Sequence, residues 1–380
     1  MAPRMAYVLV DKPRPHVARI TMNRPERMNA MSFDTVAPLY AALAQVGADN
    51  DTRVVPPDAK LTPFRHRGYD RPRVASRLPL GTQRLVFITG KGGVGKSAVT
   101  AALATAAADA GRRVLAVQAG RGRLGALLGT SALTGEPTRV RPGLFAAAIE
   151  PEDALAAFVH GVLRIGMLAR RLLESTSFQV LAAAAPGLPE LLVLNTLAGW
   201  LDARRLGRRA YDLLVVDAPA SGHSLPLLAA PRSLSALVRL GPVADMLTRL
   251  EHRLADPAET LVCLVTTPEE LPVRETIELH REIRALGLPL APPIVNAVPP
   301  RRFGASDEAA LARLDPAHPW VMAARFHIER RHEATAQVAA LRRELGAAPI
   351  TLPFLFAGPE AAGGVAALAR ELGAVTGMAA

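Results

Sequence analysis

From residue 83 onwards, short and nearly unbroken apolar runs alternate with longer stretches of mixed or Ala-rich composition. The runs at 85–89, 114–118, 213–217, 261–266, 293–298 and 350–352 predict strands. Unbroken hydrophobicity, rather than strict alternation, is the pattern of strands covered on both faces. The stretches between them predict helices, and strand–helix alternation predicts an α/β fold with a doubly wound, mostly parallel sheet. Apolar helical stretches at 154–173 and 180–201 predict a helical insertion over about 152–209. Ahead of this domain, 8–10 and 17–21 predict two strands. Residues 32–47 predict a helix with Ser32 as N-cap, giving a short α+β fragment over 1–55. Residues 56–82 carry prolines and arginines without periodicity and predict a basic linker, so the main domain is expected over 83–375.

The chain has 380 residues, half of them hydrophobic and only 4% aromatic, so a large core must be built from Ala, Leu and Val. The formal charge of +11 is densest in the first 82 residues. That excess reads as a solvated surface, and no nucleic-acid partner is expected. A single cysteine, Cys263, excludes an intrachain disulfide and a multi-thiolate metal site within one chain. The N-terminal stretch has charges and prolines where a secretory apolar region would lie, and no run approaches about 18 apolar residues. No membrane span is therefore expected, and the expected location is cytoplasmic, peripheral at a membrane only through a partner.

Arginine supplies nearly all the positive charge; the four lysines are Lys12, Lys60, Lys91 and Lys96. Two of them fall inside Gly90-Lys91-Gly92-Gly93-Val94-Gly95-Lys96-Ser97, between a predicted strand and an Ala-rich helix ending before Gly111. That context is the one a P-loop requires. The glycines let successive N–H groups face phosphate oxygens, and the helix N-terminus adds partial positive charge. Lys96 is placed to reach the β- and γ-phosphates of ATP, and the Ser97 hydroxyl to ligate Mg²⁺. Asp217, ending a predicted strand, is placed to hold Mg²⁺ through a water.

The second lysine, Lys91, makes the loop similar to the deviant P-loop class, in which this residue reaches a partner's nucleotide. The segment Asp217-Ala218-Pro219-Ala220-Ser221-Gly222-His223-Ser224-Leu225 resembles the switch sequence of the ArsA-like ATPases. Pro186-Gly187-Leu188-Pro189-Glu190, Val265-Thr266-Thr267-Pro268-Glu269-Glu270 with Glu275-Thr276, Val295-Asn296 and Leu352-Pro353 follow in the family's order. The resemblance implies that Gly222 and His223 sense the nucleotide state, and that Asn296 and Pro353 border the adenine. It implies a homodimer, or a heterodimer with a paralogue, working as an ATP-driven switch. It also implies an energy-coupling subunit of anion or arsenite transport with a membrane-protein partner. Two further readings stay open: a targeting or chaperone factor for hydrophobic, tail-anchored clients, and an ATP-binding partner that does not hydrolyse.

The sequence departs from this family at Ala119-Gly120-Arg121-Gly122-Arg123, where an Asp that orients the attacking water is expected; slow turnover follows from its absence. One cysteine cannot supply three thiolates for arsenite. Residues 7–55 resemble the start of a crotonase (enoyl-CoA hydratase) domain, carried by Ile20-Thr21-Met22-Asn23-Arg24-Pro25-Glu26-Arg27-Met28-Asn29-Ala30-Met31. The similarity stops near Val55, before the oxyanion donors and carboxylates of that fold. Hydratase chemistry is therefore not expected of the fragment, which reads as a fusion relic, an artefact of the start site or a docking element.

Overall fold

The computed structural model describes residues 8–14, 17–22, 78, 80–120, 122–130, 132–150, 187–236 and 242–376. The chain divides into two units, Met1–Gly68 and Tyr69–Ala380. In the first unit, strands β1 (Val8–Arg14) and β2 (Val17–Met22) form an antiparallel pair with Val10 opposite Ile20. Pairing carries β1 beyond its apolar start, through Asp11 opposite Arg19. The helix expected over 32–47 lies outside the described residues.

The second unit is built on an eight-stranded sheet. Its strands are β3 (Leu85–Thr89), β4 (Val114–Ala119), β5 (Thr138–Arg141), β6 (Leu144–Ile149), β9 (Leu213–Asp217), β10 (Thr260–Thr266), β11 (Ile294–Val298) and β12 (Ile350–Pro353). The order across the sheet is β12-β11-β10-β3-β9-β4-β6-β5. Every neighbouring pair is parallel except β5 with β6. A separate two-stranded hairpin, β7 (Arg204–Arg205) and β8 (Arg208–Arg209), precedes β9.

The unbroken apolar runs are explained by two cores, one on each face. In β3, Val86 and Ile88 enter one core while Leu85 and Phe87 enter the other. In β9, Leu213 and Val215 face the first, and Leu214 and Val216 the second. The first core is closed by α1 (Lys96–Asp109) and α9 (Gly364–Thr376). Alanines at 98, 101, 102, 104, 106, 107 and 108 are buried in α1, so that helix packs on nearly every side, and its small side chains permit close approach. Gly111, at φ +85, ends it in the left-handed conformation that a side chain would resist.

The second core is covered by α3 (Leu188–Asp202), α4 (Ser221–Ser235), α5 (Pro242–Ala255) and α6 (Glu270–Ala285). Within the expected insertion, helix α3 buries Leu191, Leu192, Val193, Leu194, Leu197 and Leu201 in this core. Its apolar character is thus spent on packing; residues 151–186 lie outside the described residues. Three further helices are α2 (Leu124–Leu127), α7 (Ala305–Leu311) and α8 (Pro319–Leu345).

The end of the stretch read as a linker packs on the main domain. Leu78 and Leu80 are buried in the first core, and the Leu78 amide donates to the Val375 carbonyl at 3.0 Å. Two leucines separated by a proline show no period, so only their packing reveals that they belong to the domain.

Candidate functional site

The chain leaves β3 for the neighbouring side of the sheet and later crosses from β9 over β3 to β10. The reversal creates a crevice at the carboxyl ends of β3, β9 and β10, the usual ligand position in such sheets. The loop from Gly90 to Gly95 fills it. Gly90 is buried at φ +146 against β10, and a Cβ there would fall on the Val265 carbonyl oxygen. A Cβ at Gly95, φ +91, would fall on the Asn296 amide. Neither position has room for a side chain, so these glycines set the depth at which the loop sits. Gly92 and Gly93 are exposed, leaving their backbone open to a ligand, while Val94 anchors the loop in the first core.

α1 starts at Lys96, so its unpaired N–H groups open into this loop. The Lys96 ammonium turns inward and donates to the Lys91 carbonyl at 3.1 Å. Burial lowers its pKa, and the charge of Asp217 works against that shift. Ser97 donates from Oγ to Asp217 Oδ2 at 2.5 Å. The Asp217 carboxylate is 5% exposed, and its Oδ1 is buried without a hydrogen-bond partner. Burial raises its pKa to about 6, opposed by the Ser97 hydroxyl and Lys96. A buried carboxylate oxygen with no donor is costly, and a hydrated cation beside Ser97 would satisfy it. The hydroxyl, the orphaned carboxylate oxygen and the open glycine cradle therefore suit Mg²⁺ carried by a phosphate chain.

Lys91 is engaged within its own chain. Its ammonium lies 2.5 Å from Glu275 Oε1 on α6 of the same chain. The motif Glu275-Thr276 was legible, but nothing in the sequence signalled this pairing over 184 positions.

Asn296 and Pro353 lie at the carboxyl ends of adjacent strands, and the Phe354 amide donates to the Val298 carbonyl at 3.0 Å. The Asn296 amide donates to the Val94 carbonyl at 3.0 Å, making the residue a strut from β11 to the glycine loop. The register breaks between Val295 and Val298, and Ala297 takes φ +58, a bulge that aims Asn296 at the loop. The strut is a role that sequence reasoning missed.

After β4, the Gln118 side chain donates to the Gly120 carbonyl at 3.0 Å and accepts from the Leu124 amide at 3.1 Å. Both of its polar ends are thus spent on shaping the loop. Gly222 and His223 fall in the first turn of α4, with Gly222 exposed; the His223 side chain lies outside the described residues. Pro226 has no N–H to give the Gly222 carbonyl, which loosens this turn.

Cys263 is fully buried in β10, and burial pushes its thiol up to about 12. Among the described residues no three His, Cys, Asp or Glu side chains group as metal ligands. None of the described helices is long and apolar enough to cross a membrane.

Comparison with known proteins gives two separate similarities. The family model described as anion-transporting ATPase matches residues 83–243. The chain is 32% identical over 241 residues to the ATPase BagA of Mycobacterium tuberculosis, covering 60% of this chain and 69% of that protein. It is 30% identical over 246 residues to an arsenical pump-driving ATPase of Escherichia coli, covering 60% of this chain and 41% of that protein. A distinct stretch of 51 residues is 61% identical to the probable enoyl-CoA hydratase EchA12 of Mycobacterium tuberculosis, 13% of this chain and 18% of that protein.

Proposed function

The chain belongs to the anion-transporting ATPase family, and from that premise we propose that it binds ATP with Mg²⁺ and hydrolyses it as a dimeric switch. Family membership supports a general ATPase role. The observation that carries the finer reading is the pairing of Ser97 with the buried, half-satisfied Asp217 beside an inward-turned Lys96. Ser97 would hold Mg²⁺ directly, and Asp217 would hold it through a water. When bound, the ion supplies positive charge at the β- and γ-phosphate oxygens.

The protein's own residues supply the rest. Backbone amides from Gly92 to Ser97 bind and orient the phosphates, and Lys96 exchanges the Lys91 carbonyl for phosphate oxygens. Asn296 keeps the loop at its depth, and Pro353 borders the base. Gly222 and His223, in a turn weakened by Pro226, respond to the terminal phosphate.

In the dimeric reading Lys91 leaves Glu275 and reaches the nucleotide of a second copy or a paralogue. Lys91→Ala is then expected to keep ATP binding but lower phosphate release by about a hundredfold, the order seen for one lost charge-stabilising group. Unchanged steady-state release by Lys91→Ala would end the cross-subunit role. The cargo reading is energy coupling for anion transport through a membrane partner. Because Cys263 is buried, arsenite is expected to leave release by the chain alone unchanged, and acceleration would place a metalloid site on this chain.

One observation favours a second reading, an ATP-binding partner without turnover. The loop after β4 offers no carboxylate, and Gln118 is committed to Gly120 and Leu124. A purified chain that retains ATP but releases no phosphate would establish it.

A further inference from the structure

The hairpin Arg204-Arg205-Leu206-Gly207-Arg208-Arg209 breaks three local rules at once. Leu206 and Gly207 form its two-residue turn with φ +53 and +76, a type I′ geometry. The first corner of such a turn suits Asn, Asp or Gly, and a leucine there is strained. That leucine is also 98% exposed. Finally, Arg204 lies opposite Arg209 and Arg205 opposite Arg208, two like-charge pairs facing each other across the strands. Like charges directly opposite destabilise a pair.

Among the described residues, no carboxylate forms an ion pair with the four arginines. The carboxylates around the base of the hairpin are already committed: Asp202 to Arg253 at 3.0 Å, Glu259 to Arg253 at 3.1 Å, and Asp212 to Arg113 at 2.9 Å. Among the described residues, Arg204 has only the Gly207 carbonyl as a partner, and no carboxylate pairs with Arg205, Arg208 or Arg209. The excess is felt below the hairpin, where burial and then the charge of Arg209 lower the pKa of Arg84. Departures from local rules of this kind cluster at working sites.

We propose that the Arg204–Arg209 hairpin docks the protein on an anionic lipid surface, its four guanidinium groups meeting headgroup phosphates and Leu206 entering the acyl boundary. Charge complementarity selects an anionic partner. The fully solvent-facing leucine between arginines selects a bilayer, where an apolar tip enters the acyl boundary while the guanidinium groups stay at headgroup level. The hairpin leads into the amino end of β9, whereas Asp217 ends that strand, so a surface bound here meets the end of the sheet remote from the glycine loop. No spanning segment is needed.

The test is co-sedimentation of the full chain with vesicles of phosphatidylcholine alone or mixed with phosphatidylglycerol. Binding to the anionic vesicles only, weakened by salt, is expected. The double variant Arg204→Glu, Arg205→Glu turns both like-charge pairs into attractive ones, so the hairpin persists. It is expected to bind at least about thirtyfold more weakly, from roughly 1 kcal/mol per charge at such a surface. Leu206→Asn suits the turn and is expected to bind about tenfold more weakly from lost apolar burial. Absence of wild-type binding would overturn the proposal. So would equal binding by either variant, or a DNA duplex retained in place of vesicles and lost with the double variant.

Discussion

Replacing Lys96 with alanine is expected to lower phosphate release by about a thousandfold, the upper range for loss of one preorganised group facing developing charge. The ammonium sits half-buried and already directed into the glycine loop, where it donates to the Lys91 carbonyl. Burial lowers its pKa, so a phosphate chain offers the partner that best restores its charged form. Arginine is not expected to rescue the variant. Its planar fork needs more width than a loop closed on Val265 and Asn296 provides. Alanine should leave the fold intact, because Lys96 makes no apolar contribution to either core. A melting temperature equal to wild type, with release lost, separates the chemical effect from a structural one.

The second large effect is expected for Asp217→Asn, and it has two signs. Turnover should fall by about a hundredfold or more, because the carboxylate beside Ser97 no longer holds the hydrated cation. The metal-free protein should nevertheless become more stable at neutral pH. Asp217 has a pKa of about 6 when folded, against an ordinary value of 3.8. The folded state therefore binds more protons between those values, so stability falls as pH rises through the interval and the loss persists above it. Removing the ionisable group should recover about 3 kcal/mol at pH 7 and almost nothing well below pH 3.8. Thermal melts of both proteins at acid and neutral pH, without Mg²⁺ or nucleotide, read this directly. A variant less stable than wild type at pH 7 would show that Asp217 is structural.

Much of this site was legible because its signals are local. The glycine spacing from Gly90 to Gly95, the two lysines and the strand–helix setting all lie within one loop and its flanks. The fold class was legible for the same reason: strands covered on both faces leave unbroken apolar runs. β5 was missed, since Thr138–Arg141 is an exposed edge strand defined by pairing rather than by composition. The hairpin β7–β8 contains only arginines in its strands, so periodicity could not mark it. Leu78 and Leu80 read as linker because their burial depends on α9, almost three hundred positions away.

Roles set by distant partners were the other losses. Glu275 and Asn296 stood in recognised motifs, yet their engagement with Lys91 and the Val94 carbonyl comes from the order of strands across the sheet. A bulge at Ala297, which no residue type announces, turns Asn296 towards the loop. Gln118 stands in no recognised motif, and its two hydrogen bonds follow from the path of the loop after β4.

The central claim is that Gly90–Ser97 grips the phosphates of ATP with Mg²⁺ closing on Ser97 and Asp217. Calorimetric titration of folded, nucleotide-free protein with ATP, with and without Mg²⁺, tests it most directly. The account predicts a saturable heat at one site per chain that is greatly weakened without Mg²⁺ and absent in Lys96→Ala. No heat from wild-type protein at any ATP and Mg²⁺ concentration would contradict it.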